Sequence, residues 1–137
     1  MINSFRNEHR FLSNFYPSVV ALDGLDFPTV EHAYQAAKTL DGTKRRQIQQ
    51  AKSAGDAKRL GRHVNLRSDW EDIKIDVMRQ LLRQKFSEPM MLNQLLSTGT
   101  HELVEGDWWN DKFWGVCNGV GENHLGKLLM EIRSEFA

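Results

Sequence analysis

The stretch Thr29-Val-Glu-His-Ala-Tyr-Gln-Ala-Ala-Lys38 decides how this chain folds, because its apolar letters recur at helical rather than strand spacing. Val30, Ala33, Tyr34 and Ala37 fall at i, i+3, i+4 and i+7, and Thr29, directly after Pro28, is a good N-cap. A helix over residues 30 to 40, ending near Gly42, is predicted. The same stretch carries a second stripe, since Glu31, Gln35 and Lys38 at i, i+4 and i+7 share one side of that helix. At about 100° per residue this stripe is centred roughly 110° from the apolar one, so it flanks the core. A carboxylate and an amine there can line a cleft in which desolvation and mutual charge tune both for acid, base or nucleophile work. A solvated face with a weak i, i+4 network explains the same letters and, on the residues alone, is the commoner case.

On the N-terminal side, Val19-Val-Ala-Leu22 and Leu25-Asp-Phe27 flank Asp23-Gly24, a dipeptide suited to a tight hairpin turn. On the C-terminal side a more polar helix is expected over Lys44 to Ser53, then a short turn started by Asp56 over Ala57 to Arg62. Asp69 is placed to cap a longer helix in which Ile73, Val77, Leu81 and Leu82 form a broad apolar face. Pro89 suits the first turn of a short helix reaching Leu96, with Ser97 to Thr100 as its exit. Leu103-Val104 and Phe113 to Val116 read as short strands, and Leu125, Leu128, Leu129, Ile132 and Phe136 mark a packed last helix. Four to six helices with few strands and no alternating βαβ units give a mainly α (α+β) fold, one domain over residues 1 to 137 with a small β-hairpin.

Composition narrows the function classes. At 137 residues the chain leaves no room for a separate cofactor domain, and 18 basic against 18 acidic residues argue against a strongly basic nucleic-acid binder. Cys117 is the single cysteine, a spectator that cannot form an internal disulfide, and the five histidines make no HExxH pair, so no metal and no cofactor are expected. The opening Met1 to Arg10 lacks the apolar core of a signal peptide and no apolar run approaches the ~20 residues of a membrane span, which points to a cytoplasmic protein with no membrane partner.

Three further groups have the letters of a binding site. Glu105 to Trp114 packs three of the four tryptophans, Trp108, Trp109 and Trp114, among acids that include Asp107 and Asp111, a mixture suited to stacking on a flat ring beside carboxylates; a hydrophobic plug has the same letters. Phe11-Leu-Ser-Asn-Phe-Tyr-Pro17 offers Ser13 and Asn14 as hydrogen-bonding groups and Phe15 and Tyr16 as a platform, or is an ordinary cluster under a loop. Arg6 and Arg10 are candidate phosphate ligands by charge and fork geometry. Gly119-Val-Gly121 is no dinucleotide fingerprint, since the third glycine is replaced by His124; it leaves either an anion-favouring helix entrance or a plain N-cap by Asn123, with Gly126 allowing close packing.

Phe11 to Pro17, Thr29 to Lys38, Ala57-Lys-Arg-Leu-Gly-Arg62, Met78 to Phe86, Leu103-Val-Glu105, Asp111-Lys-Phe-Trp-Gly115 and Asn123-His-Leu-Gly-Lys-Leu-Leu-Met130 resemble, in order and spacing, the NADAR family, also called YbiA-like. The resemblance runs over nearly the whole chain. It implies a compact, mostly helical fold and an N-glycosidase activity on ribosides, either early riboflavin-pathway intermediates or ADP-ribosylated guanine in nucleic acid. It also points to Glu31, Lys38, Trp109, Asp111 and Trp114 as pocket and catalytic positions; the expected catalytic set is Glu31, Lys38 and Asp111, and the expected substrate-binding set is Ser13, Asn14, Phe15, Tyr34, Trp108, Trp109, Trp114, Gly115, Arg6 and Asn123. Either tryptophan of the Trp108-Trp109 pair can be the one that stacks on the base.

Cleaving a ribosyl C–N bond builds positive charge on C1 and the ring oxygen, which a carboxylate from Glu31 or Asp111 would stabilise while activating water. A neutral Lys38 amine offers a second route, attack on C1 of the opened ribose to give a Schiff base. A non-catalytic module that binds ADP-ribose or NAD through the same residues is the alternative from another class. A plain nucleic-acid-binding domain has only Lys44-Arg45-Arg46 and Lys58-Arg59 with Arg62 to support it.

Overall fold

The computed structural model describes residues 1–107 and 109–137; Trp108 lies outside the described residues. The Thr29 stretch forms helix α1 (Val30–Ala37), and all eight of its residues are buried. The Thr29 hydroxyl accepts from the His32 N–H at 3.0 Å and sits 2.7 Å from His32 Nδ1, while His32 Nε2 lies 3.1 Å from the Ala51 carbonyl. A carbonyl only accepts, so Nε2 carries a proton and donates it to Ala51. That ties the first turn of α1 to the chain nineteen residues beyond His32.

The chain divides into two compact units, one made of residues 14–85 and one of residues 1–13 with 86–137. In the first unit the predicted hairpin is present as β1 (Val20–Leu22) and β2 (Leu25–Phe27), antiparallel with Leu22 opposite Leu25. Asp23 and Gly24 take φ of +49° and +80°, the paired positive angles of a two-residue turn. Gln84 closes the free edge of β1, donating to the Ala21 carbonyl at 2.8 Å and accepting the Ala21 N–H at 2.7 Å. One amide thus stands in for a third strand.

Helix α1 is shorter than its periodicity predicts. Lys38 and Thr39 bond back to the Gln35 and Ala36 carbonyls, an i to i−3 pattern that tightens the final turn, so Lys38 is the C-cap instead of an interior residue. Asp41 then caps α2 (Gly42–Gln49) by accepting from the Thr43 and Lys44 N–H groups, which moves that helix ahead of its predicted start at Lys44. Ser53, not Asp56, caps α3 (Ala54–Gly61), a true helix where the sequence suggested a turn; Asp56 lies in its first turn and pairs with Arg59. Helix α4 (Trp70–Lys85) follows Asp69, whose carboxylate accepts from Arg67 Nε and Nη2 at 2.6 and 3.1 Å. Its deepest residues are Trp70, Met78, Leu81, Leu82 and Lys85; Ile73 and Val77 are only half-buried.

The second unit opens with a 3₁₀ turn over Asn7–Leu12 that the periodicity did not disclose, because it is only six residues long. Ile2 bonds to Glu102 and Val104 at 2.8 Å each, bridging beside Leu103. Helix α5 (Pro89–Ser97) is capped by Glu88, and α6 (His124–Phe136) carries the predicted apolar face through Leu125, Leu128, Leu129 and Ile132. The strands of this unit coincide with the expected ones only at Val116, with Leu103 in an isolated bridge to Ile2. They are β3 (Gly106–Asp107) and β4 (Val116–Cys117), a parallel pair, whereas Phe113 and Trp114 lie in a turn because the Asp111 carboxylate accepts both of their N–H groups.

Asn123 corrects another expectation. It sits before α6 in a left-handed conformation, φ 55° and ψ 40°, and its side chain makes no cap. Instead Oδ1 accepts the Glu105 N–H and Nδ2 donates to the Leu103 carbonyl, each at 3.0 Å, locking the chain that leads into β3. Gly126 allows close packing as expected, since a Cβ there would enter the Leu103 carbonyl. Among the described residues no helix is long and apolar enough to cross a membrane. The architecture is the predicted mainly α (α+β) fold, with six α-helices and two two-stranded sheets among the described residues.

Candidate functional site

Residues 14–85 bring four of the expected site residues together: Asn14, Glu31, Tyr34 and Lys38. Asn14 reaches α1 through its backbone, its carbonyl accepting the Glu31 N–H at 3.1 Å, one of the N–H groups left without a partner inside a helix's first turn. Its side-chain Nδ2 lies 3.6 Å from the Met78 sulfur, while Oδ1 is buried with no hydrogen-bond partner. Glu31 is only 8% exposed, so the stripe is drawn into the interior and is not a solvated face. Gln35, one turn on, donates from Nε2 to Glu31 Oε2 at 3.4 Å.

Lys38 ends this stripe. Its Nζ stands 5.6 Å from the centre of the Tyr34 ring, and that ring packs at 5.2 Å and 54° against Trp70, the first residue of α4. Two opposing influences act on the amine. Burial pushes its pKa below the ordinary lysine value, Glu31 pulls it back up, and Lys58, Arg62 and Lys74 each push it further down. The net direction is down, which enlarges the neutral, nucleophilic fraction near neutrality.

A cavity of about 290 Å³ opens one residue beyond Lys38, lined among others by Thr39, Asp41, Lys44, His63 and Arg67. Asp41 is committed to capping α2 and Arg67 to Asp69, so Lys44 is its exposed cation. Phe15, of the same unit, is 45% exposed. Trp70, Gly61 and the cations of α3 and α4 were missed as site residues. Only Lys58 and Arg62 had a signal, as members of a basic cluster.

The remaining candidates belong to the other unit. Asp111 is held at both ends: its N–H donates to Asp107 Oδ1 at 3.1 Å, and its Oδ1 accepts from Phe113 and Trp114 at 3.2 and 2.9 Å. Trp114 stands edge-on to Phe113 at 4.9 Å, and Phe113 packs on His124 at 4.4 Å. Trp109 is 44% exposed. Gly115 is buried with no room for a side chain, since a Cβ would lie 2.5 Å from the Glu105 carbonyl and 2.6 Å from Asp107 Oδ2. Ser13 closes the 3₁₀ turn through its N–H, and Arg6 precedes that turn on the surface. Cys117 is buried, and no group of three metal-ligating side chains occurs among the described residues.

Comparison with known proteins gives this geometry a context. The NADAR domain profile matches residues 3–137. N-glycosidase YbiA of Escherichia coli (strain K12) is 41% identical, the match covering 98% of this chain and 86% of the relative. Riboflavin biosynthesis protein VVA0006 of Vibrio vulnificus is 42% identical over 93% of this chain; this chain spans only 35% of that longer protein. The NMR structure of E. coli YbiA superposes with a TM-score of 0.83 at 38% identity, covering 99% of this chain and 86% of that one.

Proposed function

Because the chain belongs to the NADAR domain family, we propose that it is an N-glycosidase acting on a phosphorylated riboside or an ADP-ribosyl group, with Lys38 as nucleophile and Glu31 as its charge partner. The observation that carries this reading is the buried stripe of α1: an amine whose pKa is pushed down, on the same helix side as a carboxylate 8% exposed, beside the Tyr34 and Trp70 rings. An ordinary surface lysine has neither the desolvation nor the surrounding cations.

The chemistry follows from those two groups. The glycosylamine opens to an imine between C1 and the departing nitrogen. The neutral Lys38 amine adds to C1, a first of its two N–H protons passes by way of Glu31 to that nitrogen, and the C1–N bond then breaks with the electron pair leaving on the base, which takes up the second proton by the same path. This releases the amine of the base and leaves an imine between Lys38 and the sugar, which one water hydrolyses to the free aldose and the free amine. The net change is addition of water across the C–N bond. The phosphate of such a substrate suits the cavity beyond Lys38, where Lys44 supplies positive charge.

The test is direct. Incubated separately with an ADP-ribosylated guanine oligonucleotide and with a ribosylamino-pyrimidine phosphate, the protein is expected to release base from one of them, read by mass. Binding of both without release of base would instead make it a non-catalytic ADP-ribose module.

Asp111 takes a positioning role in this reading, because its Oδ1 is engaged by two backbone N–H groups. Asn keeps that acceptor and Ala does not. Asp111→Asn is therefore expected to retain turnover within about tenfold, and Asp111→Ala to lose clearly more, while a catalytic carboxylate would show losses of about 10²–10⁴ in both. Steady-state rates of the two variants decide it.

A further inference from the structure

Gln35 has no part in the reaction just described, yet it is 3% exposed, more deeply buried than Glu31 or Lys38. Its amide is divided between two neighbours. Nε2 donates to Glu31 Oε2 at 3.4 Å, and Oε1, buried without a conventional partner, is turned toward Gly61 at the end of α3. A Cβ built on Gly61 would overlap Gln35 Oε1 and come 2.7 Å from its Cδ, so the amide occupies the space that a side chain at 61 would take. The reverse amide orientation would set Oε1 against the Glu31 carboxylate, two acceptors facing each other. With α3 backing it this closely, Gln35 can aim its donor only along α1.

We infer that Gln35, backed by the bare α-carbon of Gly61, is the positioning residue that holds the Glu31 carboxylate on the Lys38 side of α1. The inference rests on the proposed roles of Glu31 and Lys38, but its physical content is a geometric coupling that can be read without substrate. Three groups then act in series: α3 fixes Gln35, Gln35 fixes Glu31, and Glu31 sets the field at the Lys38 amine. The glycine at 61 is required for space, because φ there is ordinary helical backbone.

The experiment follows Lys38 by NMR in protein labelled at the lysine Cε, titrated in wild type, Glu31→Gln, Gln35→Met and the double variant. Charged groups facing Lys38 are Glu31 from α1, Lys58 and Arg62 from α3 and its C-cap, and Lys74 from α4; of these only Glu31 raises its pKa. Glu31→Gln is expected to move the Lys38 midpoint to lower pH. Gln35→Met, which keeps length but removes the donor, is expected to move it the same way and by at least half as much, with no further shift in the double variant. Gly61→Ala is expected to reproduce Gln35→Met if it folds; Gln35→Met carries the test if it does not. A Lys38 midpoint unchanged in folded Gln35→Met, or shifts that simply add in the double variant, would overturn the inference. Rates on the released base are recorded in parallel, with kcat falling and KM nearly constant in Gln35→Met. An inactive wild type would end the glycosidase reading while the titration still judges Gln35.

Discussion

Lys38→Ala is expected to lower base release on the order of 10⁴-fold or more, because it removes the only group that forms a bond to the sugar in the proposed route. Lys38→Arg should be nearly as damaging, since a guanidinium keeps the charge but is never neutral at working pH. Borohydride added during turnover should leave wild type carrying a stable sugar adduct on Lys38, seen by peptide mass, and should leave both variants unmodified. Full turnover in Lys38→Ala, or no adduct on Lys38 in an active wild type, would transfer the chemistry to a water-attack route.

The pH dependence has a definite sign. The reactive species is the neutral amine, so kcat/KM rises with pH and levels off above the Lys38 pKa, at a pH lower than an ordinary lysine would give. Removing Lys58 or Arg62 takes away a cation that depresses it, so Lys58→Gln and Arg62→Gln should each move that limb to higher pH. The same shift bears on stability. A lysine whose folded pKa lies below its unfolded value holds fewer protons when folded, so stability rises with pH across the window from the lowered pKa to 10.5. Lys38→Met should therefore fold at least as well as wild type near neutrality, which separates loss of activity from loss of fold.

Much of the frame was legible in the letters, and the reason differs from element to element. The hairpin was readable because Asp23-Gly24 can supply two positive φ angles where few residues can. Helix α6 was readable because Leu125, Leu128, Leu129 and Ile132 hold one buried face, although Phe136, the last letter of the expected period, is exposed. The end of α1 was not, since Leu40 extends the apolar pattern while Thr39 and Asp41 bond locally and stop the helix. The strand at Phe113 was misplaced for a related reason: strand-like letters there are bent by one carboxylate two and three residues upstream. Within the site, spacing put Glu31, Gln35 and Lys38 on one side of a helix, but not its depth. Burial of that side depends on α3 and α4 packing over it, and on Gly61 lacking a side chain, which are tertiary facts invisible to a helical wheel. Trp70 escaped notice because a tryptophan opening a helix has no periodic signature of its relation to Tyr34.

Glu31→Gln is the second large effect expected, and it discriminates between the two ways a carboxylate can serve this reaction. As a proton carrier between Lys38 and the departing nitrogen, its loss should cost about 10²–10⁴ in turnover. The residual rate should then show an unusual pH profile. Glu31 is the one charged neighbour that raises the Lys38 pKa, so removing its charge lowers that pKa and moves the rising limb to lower pH, opposite to the shift in Lys58→Gln. Borohydride trapping on Lys38 should persist in Glu31→Gln, more slowly formed, because the nucleophile is intact. If instead Glu31 supported an oxocarbenium ion and activated water, the variant would lose turnover with no movement of a limb set by Lys38, and no adduct would form in either protein. The direction of one pH limb and the presence of one adduct therefore separate a shared amine–carboxylate mechanism from a carboxylate acting alone.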